Sequence, residues 1–213
     1  ALLAAPLAPG ARLPGPLAFQ AAGAWWRVEA GGGLARRMEA PAGAVRECAG
    51  PDLCHPDGTP VLSMAGIRYS PRIVEGVLVY GAGREPLAPD DDAPGIFALD
   101  GSESAPRRLT RAPEGAFDLE PGAGRAGEVL FLRRVGGHTR LLRLETDGVE
   151  STLAPDLDAV GGLAVVGDVA VLACVREGRG ALRWVPVEVG PDVESLPLLA
   201  LPLEQWTPWA LTP

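Results

Sequence analysis

Residues 128–153 read EVLFLRRVGGHTRLLRLETDGVESTL, and their pattern decides the fold class. An apolar run, Glu128–Leu132, is followed by the pair Gly136-Gly137 and a second run, Thr139–Glu145, in which polar and apolar residues interleave. Side chains on a strand alternate between faces with a period of two, so the second run predicts a half-buried antiparallel strand. Asp147-Gly148 predicts a hairpin turn, because glycine accepts positive φ without a Cβ clash, and Val149–Leu153 predicts a third strand.

Working outward, the same order of strand, turn, strand, glycine turn and Arg- or Leu-rich strand recurs on both sides. Upstream it runs through Leu17–Gln20, Ala24–Glu29, Gly31–Gly33 and Leu34–Met38. It returns as Gly76–Tyr80, Gly95–Asp100, Gly101-Ser102 and Pro106–Thr110. Downstream it runs through Asp168–Cys174, Gly178–Gly180, Ala181–Val187 and Ser195–Leu199. The corresponding first strands lie about 60, 50 and 40 residues apart. That spacing suits blades of three or four strands with loop insertions and does not suit the fixed period of a solenoid. The 28 glycines and 22 prolines act as punctuation that leaves little room for long helices. Four units are expected, at 17–69, 70–113, 114–156 and 157–200. An extended segment at 1–16 precedes them, and a tail or closing strand follows at 201–213. Residues 84–94 (REPLAPDDDAP) split the second unit, and their prolines predict a surface loop.

The units resemble the repeats of the TolB-like propeller family, the WD-like repeats of bacterial extracytoplasmic proteins. The resemblance rests on Gly76–Tyr80, on Ile96–Asp100 with Gly101, and on the Arg107–Thr110 close. His55–Gly58 and Ser70–Arg72 each keep part of the family's Ser-Pro-Asp-Gly turn. It implies an all-β, β-propeller-like fold of antiparallel blades over roughly residues 17–200. Family members usually close with six or seven blades, whereas about four are recognisable here. The shortfall points to a small ring, a piece of a larger one, or a sheet that a partner completes. Unpaired sheet edges invite association, so something is expected to cover them.

Composition narrows the function classes. All 19 basic residues are arginine and the net charge is −8, which argues against nucleic acid or an anionic membrane surface as partner. The absence of lysine and asparagine points to a GC-rich source. The arginine pairs Arg36-Arg37, Arg107-Arg108 and Arg133-Arg134 read as solvated strand ends. No apolar run reaches the ~18–20 residues of a membrane span. The opening ALLAAPLAP (residues 1–9) reads as the tail of an export signal, which places residue 1 after processing or trimming. Cys48 and Cys54 flank Gly50 and Pro51, so a turn is expected to join them in a disulfide, the mark of a periplasmic or extracellular protein. Two free thiols in a cytosolic loop are the alternative. Cys174, in an apolar run, reads as a buried thiol.

The search for chemistry yields little. His55 and His138 are the only imidazoles, and His138 follows a glycine turn, where it is expected to be exposed. No Gly-x-Ser-x-Gly elbow occurs. Gly31–Gly33 and the run from Gly122 to Arg125 read as turns, not phosphate cradles. Asp90, Asp91 and Asp92 lack the spacing of a Ca²⁺ loop, and Glu145, Asp147 and Glu150 have no separation that the sequence fixes. No catalytic residue, metal or cofactor is therefore assigned. Trp25 and Trp26 should face opposite ways, one into the core and one outward, and Trp206 and Trp209 are candidate partner contacts. The expectation is a non-catalytic propeller that binds another protein or serves as a scaffold subunit. An accessory propeller of a hydrolase and a carbohydrate-binding propeller are the alternatives.

Overall fold

A computed structural model of the chain describes residues 16–21, 24–29, 36–40, 46–47, 53–54, 57–62, 68–82, 94–102, 105–157, 160–166, 169–176, 179–187 and 197–201. Among them every regular element is a strand. The chain divides into two units, residues 42–152 and residues 1–41 with 153–213.

Among the described residues, three antiparallel sheets belong to residues 42–152, with the last strand of the third running on to Leu157. The three strands that precede them in the chain, β1 (Leu17–Ala21), β2 (Ala24–Val28) and β3 (Arg36–Met38), belong to the other unit. Residues 42–152 then carry β4 (Arg46–Glu47), β5 (Leu53–Cys54) and β6 (Pro60–Leu62) in one sheet. A second contains β7 (Arg68–Val74), β8 (Val77–Ala82), β9 (Gly95–Leu99) and β10 (Arg107–Arg108), with β10 at its edge. The third contains β11 (Ala116–Ala123), β12 (Val129–Val135), β13 (His138–Leu144) and β14 (Glu150–Leu157), in meander order.

The second sheet is apolar on both faces, which explains why β8 and β9 read as nearly continuous hydrophobic runs. Alternate residues part company. Leu78, Tyr80, Ala82 and Phe97 pack with Leu53 of the first sheet, and the Tyr80 and Phe97 rings stack at 6.0 Å. Val79, Ile96 and Ala98 face the other way, onto Val129, Phe131, Leu142 and Leu144 of the third sheet. The layers are therefore sheets set face to face.

Local backbone choices fix each hairpin. Glu75-Gly76, Ala126-Gly127 and Gly136-Gly137 all have positive φ at both turn residues, the geometry that matches the strands' right-handed twist. Glu75 (φ 49°) and Ala126 (φ 48°) adopt it with a Cβ. Ala126→Gly is expected to stabilise the protein by about 0.5–1 kcal/mol in urea denaturation, since it removes that strain at an exposed position. The Asp147-Gly148 turn forms as its sequence predicts. Gly148 has φ 88°, and Asp147 accepts the Val149 N–H at 3.0 Å.

The strand layout departs from the sequence expectation at residues 17–69 and at Ser70–Arg72. Residues 17–69 hold two three-stranded sheets, β1–β3 and β4–β6, so five sheets are present among the described residues. Ser70-Pro71-Arg72 is not a turn but the middle of β7. There Ser70 bulges out of register with φ 51°, and β11 repeats the device at Glu120-Pro121 with φ 52°. A bulge frees one residue from the ladder, which is where a strand tolerates proline.

In the other unit, β1–β3 form a meander in which Phe19 pairs with Trp26 and Gln20 with Trp25. Both tryptophans are half-buried, so neither is the core residue or the outward one that strict alternation predicts. A four-stranded meander follows, β15 (Val160–Val166), β16 (Val169–Arg176), β17 (Arg179–Pro186) and β18 (Pro197–Leu201). β15 is also irregular, between Val160 and Gly162.

Candidate functional site

Three features of residues 42–152 carry polar chemistry. The first is a buried charge network in the third sheet. Asp118 on β11 is 0% exposed and receives two bonds from Arg133 on β12, from Nε at 2.6 Å and Nη2 at 2.8 Å. The same guanidinium donates to Glu150 on β14 through Nη1 at 2.6 Å and Nη2 at 3.1 Å. Burial alone would lower the arginine's proton affinity, but the hydrogen bonds and charges of Asp118 and Glu150 outweigh it and raise the pKa above the ordinary value. Thr110 completes the chain. Its hydroxyl donates to Asp118 Oδ2 at 2.7 Å and accepts the Ile96 N–H at 2.9 Å. The Leu-Thr close of the second sheet is thus a clasp on the third.

Arg133 corrects one sequence reading. Of the Arg133-Arg134 pair, only Arg134 is a solvated residue; Arg133 is 8% exposed, because adjacent strand residues face opposite sides. Its ring neighbour is Phe131, with the guanidinium carbon 5.3 Å from the ring centroid.

Gly95 supports the clasp from below. A Cβ there would overlap the Thr110 carbonyl oxygen and come within 3.0 Å of the Arg108 side chain. Gly95→Ala is expected to cost about 1–3 kcal/mol, the usual penalty for forcing atoms into filled space. Equilibrium urea unfolding measures it, with exposed, open-sided Gly101→Ala as the control.

The second feature joins the two bulges. β7 and β11 lie side by side, and the Ser70 hydroxyl donates to Glu120 Oε1. Arg72 Nη2 donates to Glu120 Oε2 at 3.0 Å. Positive φ at Ser70 and Glu120 turns both side chains inward, where they are 6% and 5% exposed. A cavity of about 400 Å³ opens beside them, lined also by Phe117, Leu119 and Arg134. Phe117 is 53% exposed, unusually so for a phenylalanine on a strand.

The third feature is a groove of about 340 Å³ between the second and third sheets. Val74, Val77, Val79, Ala98, Leu109, Val129 and Leu144 make its floor, and Glu75, Arg107, Glu145 and Thr146 stand around it. Arg107 pairs with Ala98, which pairs with Val79, so a charged edge residue ends an apolar row. Arg108 faces the opposite way and lies over Phe97, 4.6 Å from the ring centroid.

The sequence-assigned residues fare unevenly. Cys54 is buried and disulfide-bonded, while Cys48, the partner its spacing names, lies outside the described residues. So do Trp206, Trp209, His55 and the three aspartates at 90–92. His138 is exposed at the start of β13. Of the three carboxylates with no fixed separation, Glu150 binds Arg133, Glu145 binds Arg143 at 3.2 Å, and Asp147 closes its own turn. Gly122 and Ala123 end β11, and Gly124 leads into the turn, donating to the Glu128 carbonyl at 2.7 Å.

No protein-family model and no curated protein matches the chain. Solved structures do. TolB from Acinetobacter baumannii superposes with a TM-score of 0.54 at 16% identity, over 98% of this chain and 57% of that one. The fold is propeller-like. A Mycobacterium tuberculosis puromycin-hydrolyzing peptidase matches at TM-score 0.50 and 14% identity, over 82% of this chain and 35% of that one. The chain thus spans little more than half of the first propeller and about a third of the second protein. At these identities the likeness extends to the propeller fold alone. Among the described residues no helix is long and apolar enough to cross a membrane.

Proposed function

We propose that the chain is a non-catalytic propeller of the TolB-like kind that works outside the cytoplasm as a protein-binding or scaffold subunit. The observation that carries this reading is the groove between the second and third sheets. It combines a floor of branched aliphatic side chains with charged residues of both signs at its rim, which is the make-up of a protein-recognition surface. The buried carboxylates Asp118 and Glu120 support it from the other side. Each accepts hydrogen bonds from a guanidinium, which ties it into the packing of the sheets.

Site-specific photo-crosslinking tests the reading. A photoreactive side chain at position 107 or 117 of the full chain, expressed in its own cells, is expected to give a discrete protein adduct from at least one position. Absence of an adduct at both positions would overturn it. Export is tested separately by peptide mapping without reductant. Cys54 is expected to emerge joined to Cys48, and reduced Cys54 in freshly isolated protein would remove that support.

A further inference from the structure

We infer that the groove between the second and third sheets takes an extended peptide segment of a partner protein, in which an apolar residue lies between a basic residue and an acidic one. The inference rests on the protein-binding reading above and adds the chemistry of the partner. Charge complementarity along the groove carries it. At one end, Glu75 in the β7–β8 turn holds its carboxylate against the β11–β12 turn. Its Oε2 lies 3.9 Å from where a Cβ on Gly127 would stand. At the other end Arg107 is exposed on the edge strand β10, on the same sheet face as Ala98 and Val79. Between them lie the side chains of Val77, Val79 and Val129.

The spacing of the charges follows from the sheet. Glu75 sits between β7 and β8, and β10 is two strands beyond β8, which is about 12 Å across the sheet at about 4.8 Å per strand. The turn also lies about three residues along from the row of Val79, Ala98 and Arg107, so the two ends are roughly 15 Å apart. An extended chain advances about 3.3 Å per residue, which places the basic and acidic residues about four or five positions apart. The volume of about 340 Å³ is near the lower end for a small-molecule pocket, about 300–1,000 Å³, and suits one or two side chains better than a whole ligand.

Glu75 is the informative residue. It occupies a left-handed conformation, φ 49°, that glycine would fill without strain, so Glu75→Gly removes the carboxylate without straining the turn.

Fluorescence anisotropy on the full 213-residue chain tests the proposal. The probes are capped, dye-labelled octapeptides with a central isoleucine, an arginine two residues before it and an aspartate two residues after. A second set has both charged positions acidic. The first set is expected to bind saturably, at least tenfold more tightly than the second. Val77→Glu is expected to abolish binding. Glu75→Gly is expected to weaken it at least fivefold while raising the melting temperature. Arg107→Glu is expected to weaken it and to recover with a peptide carrying arginine at both charged positions. Equal binding of the two sets, or binding that survives Val77→Glu, would overturn the inference, as would no binding at all. Crosslinks from position 117 with silence from position 107 would leave the protein-binding reading standing and remove the groove from it.

Discussion

Arg133→Met is expected to lower the stability of the protein by about 3–5 kcal/mol, the cost of stripping the partner from a buried charge. Asp118 has no exposure to water with which to replace two short guanidinium bonds, and Glu150 loses its partner at the same time. The melting temperature should fall by roughly 6–20 °C for a chain of this length. Arg134→Met, one residue along on the exposed face, should stay within about 0.5 kcal/mol, the ordinary range for a surface position. The pair of variants therefore separates charge burial from strand propensity. Combining Arg133→Met with Asp118→Leu and Glu150→Leu should recover part of the loss, because an apolar replacement of a whole buried ion cluster is often neutral. Recovery should be incomplete, since the Thr110 hydroxyl then loses its acceptor while it still holds the Ile96 N–H. If Arg133→Met unfolds no more readily than Arg134→Met, the network is ornamental.

β8, β9, β12, β13 and β14 were legible because each left a local mark. Asp147-Gly148 and Gly136-Gly137 announce turns through backbone chemistry that belongs to the residue itself, whereas Gly76, read as the start of a strand, belongs to the turn before β8. The runs between them are apolar enough to read as buried strands. β7 was hidden for the converse reason. Pro71 normally argues against a strand, and only the bulge at Ser70, which depends on β8 and on Glu120 fifty positions away, makes room for it. The same bulge recurs at Glu120-Pro121, so the signal lay in comparing the two Xaa-Pro steps, each followed five or six residues later by a glycine turn.

The polar clusters were less legible still. Asp118, Arg133 and Glu150 are 15 and 17 positions apart and meet only because β11, β12 and β14 belong to one sheet. Strand periodicity did contain one clue. With Phe131 and Leu132 both apolar, Arg133 must share a face with Phe131, and that face looks onto the second sheet. The sign of that arginine's environment was beyond periodicity, because it depends on which carboxylates the neighbouring strands deliver. The groove was likewise out of reach, since its two walls come from residues 74–109 and 127–148, which only the stacking of the two sheets brings together. The Thr110 clasp gives the Leu-Thr close a physical reason. A hydroxyl at the end of one sheet accepts from that sheet and donates to the next, which alanine cannot do.

Phe131→Ala should be as damaging as loss of the arginine, and by a different route. The ring has no exposed surface and sits at the centre of the cluster that joins the second and third sheets, against Val79, Ile96, Ala98 and Leu142. Truncation removes its transfer energy and leaves a cavity, together about 3–5 kcal/mol for a buried phenylalanine. Phe131→Leu refills much of that space and should recover more than half of the loss. The ring is also the surface over which the Arg133 guanidinium lies, so the two losses should not add. With Phe131 gone, water can enter beside the guanidinium and solvate Asp118, and the added cost of Arg133→Met should shrink. The double variant should fall short of the summed single losses by about 0.5–3 kcal/mol in urea denaturation, the range for residues in contact. Strict additivity would mean that the aromatic core and the charge network stabilise this interface independently, and that the ring does not shield the ion cluster from water.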